Sequence, residues 1–432
     1  MIEDRIEVYV AGGLDIPLPP MASVRQKFTT TRVDDIDAAI AHEFQQPEIR
    51  ASVKPGARIA VGCGSRGVAN YARIARAVIA EIKALGGDPF VFPAMGSHGA
   101  ATAAGQRQVL EGAGITEAYI GAPIRASMDT IEAGRMADGT PVYSDAIAAT
   151  ADGIVLINRI KPHTTFRGAI ESGITKMLTI GMGKIKGAAQ LHTHGMDRFP
   201  EVLPEAARVV MARLPFLFGV AVVENAHDDT ALVECIPAAR LLAREPGLLA
   251  MAKEMMARLY FDDIDVLVID EMGKEISGAG FDPNVTGRNR RHVDWPGGPR
   301  IKKIAVLGLT ERSHGNATGV GSADVITMRL YRAIDVGPTY ANVITSTHLD
   351  SAAIPMIMNT DREAVQLAVK SIRRVKPADA RIVRIRNTLE LQRIRVSVPL
   401  LEEVRSQPER FEILSEHEPW VFGADGSLAK VE

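Results

Sequence analysis

The sequence is poor in several things that would place it in large, familiar classes. Its 432 residues include two cysteines, Cys63 and Cys235. That count excludes a disulfide framework, and it excludes a four-thiolate zinc or iron–sulfur site built by this chain alone. A reducing compartment fits, and the expected location is the cytoplasm. No uninterrupted apolar run reaches about 18 residues, and the opening MIEDRIEVYVAGG has no basic stretch followed by an apolar one, so neither a membrane span nor a secretory leader is expected. Charge of one sign is also lacking. With 50 basic against 52 acidic residues, the formal net charge is −2 and no footprint points to nucleic acid or anionic lipid. A small-molecule partner follows. The pattern G-x-S-x-G is absent, which removes a nucleophile-elbow hydrolase. The stretch GCGSRGV holds only part of a dinucleotide fingerprint, without an acidic residue to hold a ribose, so soluble NAD is not expected.

What is present is a chain with 46% hydrophobic residues, enough for more than one core. Residues 58–64 (RIAVGCG) read as a buried strand, and Ile74, Val78, Ile82 and Leu85 then share one helix face that ends at Gly86-Gly87. Residues 89–96 form the next apolar run. A parallel crossover is expected, placing the loops GSRG and GSHG on the same carboxyl edge of a sheet. Further strands are expected at 153–160, 216–224, 265–270 and 303–309, with helical stretches at 201–213, 236–260 and 323–333. The fold class is α/β, as two α/β domains, the first with an open, mostly parallel sheet. The expected division is 1–260, then 261–410, with 411–432 a short segment packing back on the first domain.

Five side chains stand out because each follows a strand or sits in a glycine-rich loop: Arg66 in GSRG, His98 in MGSHGAAT, His163 in IKPHTTFRG, and Lys176 and His192 in SGITKMLTIGMGKIKGAAQLHTHG. Glycine lets backbone come close to a ligand and turns N–H groups towards anions. Taken singly, a loop histidine is usually a surface residue and a lone lysine a solvated charge. Three of the ten histidines, one arginine and one lysine in glycine-flanked turns of a single domain shift that balance.

The order of these motifs resembles the nickel-dependent lactate racemase family: an arginine loop after a strand, a G-x-H loop after the next, a P-H motif, then S-G…K and a downstream histidine. The resemblance covers roughly residues 55–200. It implies a racemase or epimerase of a 2-hydroxy acid. Its cofactor would be nickel held in pyridinium-3,5-bisthiocarboxylic acid mononucleotide, the nickel-pincer nucleotide. By the same resemblance Lys176 is the covalent tether and His192 the nickel ligand, with His194 two residues on as the alternative. His98 and His163 are the acid/base pair, a task for which imidazole is suited near neutral pH. Arg66, with Ser65 beside it, contacts cofactor phosphate or substrate carboxylate. Cofactor-synthesis proteins in the host are the implied partners.

The departures are specific. The family has an aspartate shortly before the loop arginine, where this chain reads CGSR; and the stretch between His163 and Lys176, TTFRGAIESGIT, is longer, adding Arg167 and Glu171 to the candidate site. The second domain lacks the family's Y-Q-x-x-K signature and carries EMGKEISGAGFDPNVTGR instead, with Lys274, Asp282, Asn284 and Arg288 as candidate substrate contacts; an ordinary surface loop is the competing reading. Two other functions stand beside the racemase: a lyase or hydrolase of the same fold using the histidines without the pincer cofactor, and a non-catalytic cofactor-binding paralogue.

Overall fold

The computed structural model describes residues 5–65, 67–290 and 293–431. The chain divides into two units: Thr29–Met256, and the residues up to Phe28 together with those from Ala257 onward.

In the 29–256 unit the near-continuous apolar runs become strands covered on both faces, the pattern a parallel sheet requires. The order is Asp88–Pro93, Arg58–Cys63, Gly153–Arg159, Phe216–Glu224, Thr230–Pro237; the first four run parallel and the last is antiparallel. Alternation within each strand feeds two cores. Ile59, Val61, Val155, Ile157, Val220 and Val222 pack with Ile74, Val78 and Ile82 of helix Tyr71–Ala84 on one face. Ile154, Leu156, Ala221 and Val223 pack against Ala206 and Val210 of helix Phe199–Arg213 and Leu248 of helix Leu241–Met255 on the other. Gly62 stands where a Cβ would lie 2.4 Å from Leu156 and 2.9 Å from Phe92, so the large neighbours fill its space. Helix Tyr71–Ala84 closes as expected at the glycine pair: Gly86 has φ +85°, its N–H reaches Lys83 O at 2.8 Å, and the Gly87 N–H reaches Ile82 O at 3.0 Å.

The other unit is built on an eight-stranded sheet ordered Met356–Met358, Val325–Thr327, Arg300–Val306, Asp263–Ile269, Ile382–Ile385, Arg393–Ser397, Met21–Gln26, Phe411–Glu418. The first five strands are parallel and the last three join antiparallel.

Four expectations change here. The contiguous 1–260 domain does not form, because Met21–Gln26 inserts between Arg393–Ser397 and Phe411–Glu418. Those pairings also hold the 411–418 strand in the sheet of the second unit, so it does not return to the 29–256 unit. The helix expected over 323–333 begins as the strand Val325–Thr327, whose β-branched side chains are buried between two parallel neighbours, and only Met328–Arg332 is helical. The helical stretch expected over 236–260 is also shorter: residues 236–237 complete a strand, and the helix that follows runs Leu241–Met255 with Pro246 inside it. No helix among the described residues is long and apolar enough to cross a membrane.

Candidate active site

The loops after three parallel strands lie at one edge of the five-stranded sheet, since Cys63 is in register with both Pro93 and Ile157. The loop after Arg58–Cys63 is held at both ends. The Gly64 N–H donates to the Tyr71 hydroxyl at 2.5 Å, and the Ala69 N–H donates to the Glu224 carboxylate at 2.7 Å. Between them, the Ser65 hydroxyl is hydrogen-bonded to His98 Nδ1. Ser65, expected among the cofactor contacts, is thus first a partner of His98. Arg66 lies outside the described residues. Cys63 beside this loop is structural, for burial pushes its thiol up to about 12 and leaves no thiolate to react.

His163 is set by three contacts. Its N–H donates to Glu171 Oε2 at 2.6 Å, the Thr165 N–H donates to its Nδ1 at 3.0 Å, and its Nε2 meets Lys176 Nζ at 2.7 Å. Glu171 lies fully buried beneath the loop and also pairs with Arg167 at 3.2 Å and Lys253 at 2.7 Å. Arg167 is therefore tied to the loop's own carboxylate, and it also donates to His163 O at 3.2 Å.

Lys176 closes a short helix, Ile174–Lys176, and a π-helical turn, Met177–Gly181, follows before helix Lys184–His192. Such turns are frequent at functional sites. Both preceding loops rest on this segment. A Cβ on Gly64 would come within 2.8 Å of Met177, and one on Gly181 within 2.5 Å of Ala94 O; the Gly96 N–H donates to Gly181 O at 3.0 Å.

His192 is solvent-exposed at the end of that helix, its ring edge-on to Phe199 at 5.1 Å between centroids. Its Nδ1 bonds Ala188 O at 2.5 Å, so the proton sits there and the lone pair is on Nε2, the arrangement of a metal-binding imidazole. Local desolvation first, and the nearby Lys176 charge after it, hold its pKa below the ordinary value, which favours the neutral ligand form. His194 is placed differently: its Nε2 is buried with no hydrogen-bond partner among the described residues, and its Nδ1 lies 3.7 Å from Asp138. Between the two, the geometry favours His192. Among the described residues no three histidine, cysteine or carboxylate side chains converge, so a metal here would take most of its donors from a cofactor. One imidazole and one nucleophilic amine fit such a group.

Sequence reasoning does not single out Glu245, which holds the residue next to Lys176. It is buried, accepts the Thr175 N–H at 3.0 Å and the Thr175 hydroxyl at 2.6 Å, and leaves Oε1 without a partner among the described residues. Gly173 makes room for it, since a Cβ there would lie 2.0 Å from Oε1. Burial pushes the Glu245 carboxyl up from 4.5 to about 7. A raised carboxyl favours the fold fully below its unfolded pKa, and that contribution is lost as pH rises through the folded value. Wild-type stability should fall between about pH 4.5 and pH 7 by up to about 3 kcal/mol from this group. Urea unfolding of Glu245→Gln should lack that component, and equal pH slopes in the two proteins would contradict it.

The second unit's candidates have structural work. Arg288 is buried at 5% exposure, paired with Asp324 at 2.5 Å and donating to Ile301 O at 2.7 Å. Asp282 caps the short helix Pro283–Thr286, accepting from the Asn284 N–H at 2.9 Å and side-chain amide at 2.7 Å. Both, read from the sequence as candidate substrate contacts, are thus engaged within their own unit. Lys274 is partly exposed and donates to Gly278 O at 2.9 Å and to the Asn342 side chain.

Residues 18–199 match the family model described as the lactate racemase N-terminal domain, a span that holds Ser65, His98, His163, Lys176 and His192 and ends before Lys274. Among solved structures the chain is similar to the lactate racemase apoprotein from Thermoanaerobacterium thermosaccharolyticum, at 12% identity and a TM-score of 0.45, over 66% of this chain and 74% of that one. It is also similar to a protein from Thermotoga maritima, at 13% identity and a TM-score of 0.44, over 65% of this chain and 72% of that one. No curated protein sequence matches it significantly.

Proposed function

We propose, from the match of residues 18–199 to the lactate racemase N-terminal domain, that the chain is a member of the lactate racemase family and an isomerase inverting the C2 centre of a 2-hydroxy acid. The observation that carries the reading is the 2.7 Å contact between Lys176 Nζ and His163 Nε2, which puts the proposed tether and a proposed acid/base group in one place. Lys176 and His192 would hold the nickel-pincer nucleotide, and that group, when bound, supplies the hydride acceptor at C2.

The chain's own residues do the rest. His98 and His163 take the hydroxyl proton and return it, one serving each enantiomer. Ser65 orients the His98 ring through Nδ1, and Thr165 and Glu171 fix His163 through its ring and its backbone. Fixed rings matter because a base off line by an ångström forfeits about a hundredfold in rate.

The deciding experiment is intact-mass and nickel analysis of protein made in a host able to synthesise the cofactor, followed by chiral assay over a panel of 2-hydroxy acids. The expected result is a covalent mass increment with nickel, and interconversion of one pair of enantiomers. Interconversion by protein carrying no increment would overturn the pincer reading and favour metal-free chemistry at the same histidines. Fully loaded protein that inverts no acid in the panel would count against the isomerase.

A further inference from the structure

Lys184 is 0% exposed and adopts a left-handed backbone, φ +53°, at the start of the helix that ends at His192. A buried ammonium carries a large desolvation cost unless every proton finds an acceptor. Here it donates to Pro93 O at 2.5 Å and Gln106 Oε1 at 3.2 Å and is ion-paired with Asp145 Oδ2 at 2.8 Å. Pro93 ends the strand from which the His98 loop departs. Gln106, also 0% exposed, donates through Nε2 to Gly96 O at 2.8 Å and His98 O at 3.2 Å. The lysine decides which way that amide faces. Because an ammonium has no acceptor, Gln106 must present its oxygen to Lys184 and therefore its NH₂ to the loop carbonyls.

We propose that Lys184 and Gln106 are the positioning residues of His98: the Asp145–Lys184–Gln106 chain clamps the 93–98 backbone to the helix carrying His192, and so fixes the imidazole on Ser65. The inference rests on reading His98 as an acid/base group.

Gln106→Glu is the informative substitution. It leaves an oxygen for Lys184 and adds a counter-charge, yet removes both N–H donors to the loop. A pair that only glued the fold would lose stability and leave the His98 ring where it is. A positioning pair does more: cofactor-free protein should stay folded, with a lower unfolding midpoint, while the ¹⁵N signals of His98, identified by their loss in His98→Asn, move from the Ser65-bonded pattern. In loaded enzyme kcat should fall on the order of a hundredfold with KM within about twofold. Lys184→Met should shift the same signals, as should Gln106→Asn, whose amide is too short to span the gap, so the test does not depend on one variant folding. Unchanged His98 signals in folded variants overturn the positioning role. Because the signals are read without cofactor, that outcome is distinguishable from any failure of the isomerase reading.

Discussion

Lys176→Arg is expected to inactivate the enzyme as completely as Lys176→Ala, with at least about a thousandfold loss of activity and no covalent mass increment. Guanidinium preserves the charge but has no nucleophilic lone pair at neutral pH. The amine of Lys176 faces His163 Nε2 at 2.7 Å. His192→Ala gives the complementary result: the increment stays and nickel is lost, because the imidazole contributes a ligand and no covalent bond. If Lys176→Arg kept activity, the lysine would act only as a charge, and the tether would have to be abandoned.

The parts of this molecule legible in the sequence are those whose cause is local. Arg58–Cys63, Asp88–Pro93 and Gly153–Arg159 announce themselves because a strand buried on both faces reads as one apolar run. The loops that follow them announce themselves by glycine. What could not be read has distant causes. Met21–Gln26 mixes Ser23, Arg25 and Gln26 with apolar residues, and its place is set by strands at the far end of the chain. Lys184 and Gln106 look like ordinary helix polars until Pro93 and each other are brought beside them, 91 and 78 residues away. A weak signal was there: Lys184 follows MLTIGMG, an apolar, glycine-rich run in which a cation must find partners inside. Arg288 erred the other way. Within EMGKEISGAGFDPNVTGR it reads as a candidate substrate contact, whereas its charge is consumed by Asp324 and backbone carbonyls.

His98→Ala and His163→Ala should each cut interconversion by about 10²- to 10⁴-fold, the usual worth of a positioned acid/base group, while leaving the fold intact. The distinguishing result lies elsewhere than in steady-state rates. Enantiomers have equal free energy, so the equilibrium constant is one and kcat/KM in the two directions must fall together in any variant. Asymmetry can appear only in a half-reaction. With loaded enzyme in excess over one enantiomer, acid quench and hydrazine trapping report the 2-keto acid formed at the site. Each variant should produce it from one enantiomer and not from the other, and the two variants should differ in which enantiomer they accept. The environments already separate the pair: His98 is exposed and meets the Ser65 hydroxyl at Nδ1, whereas His163 is partly buried and meets a backbone N–H there. If both variants accepted the same enantiomer, the two rings would serve one face of the substrate. Near-normal interconversion in either would remove that histidine from the chemistry and leave its bond to Ser65 or Lys176 as its only role.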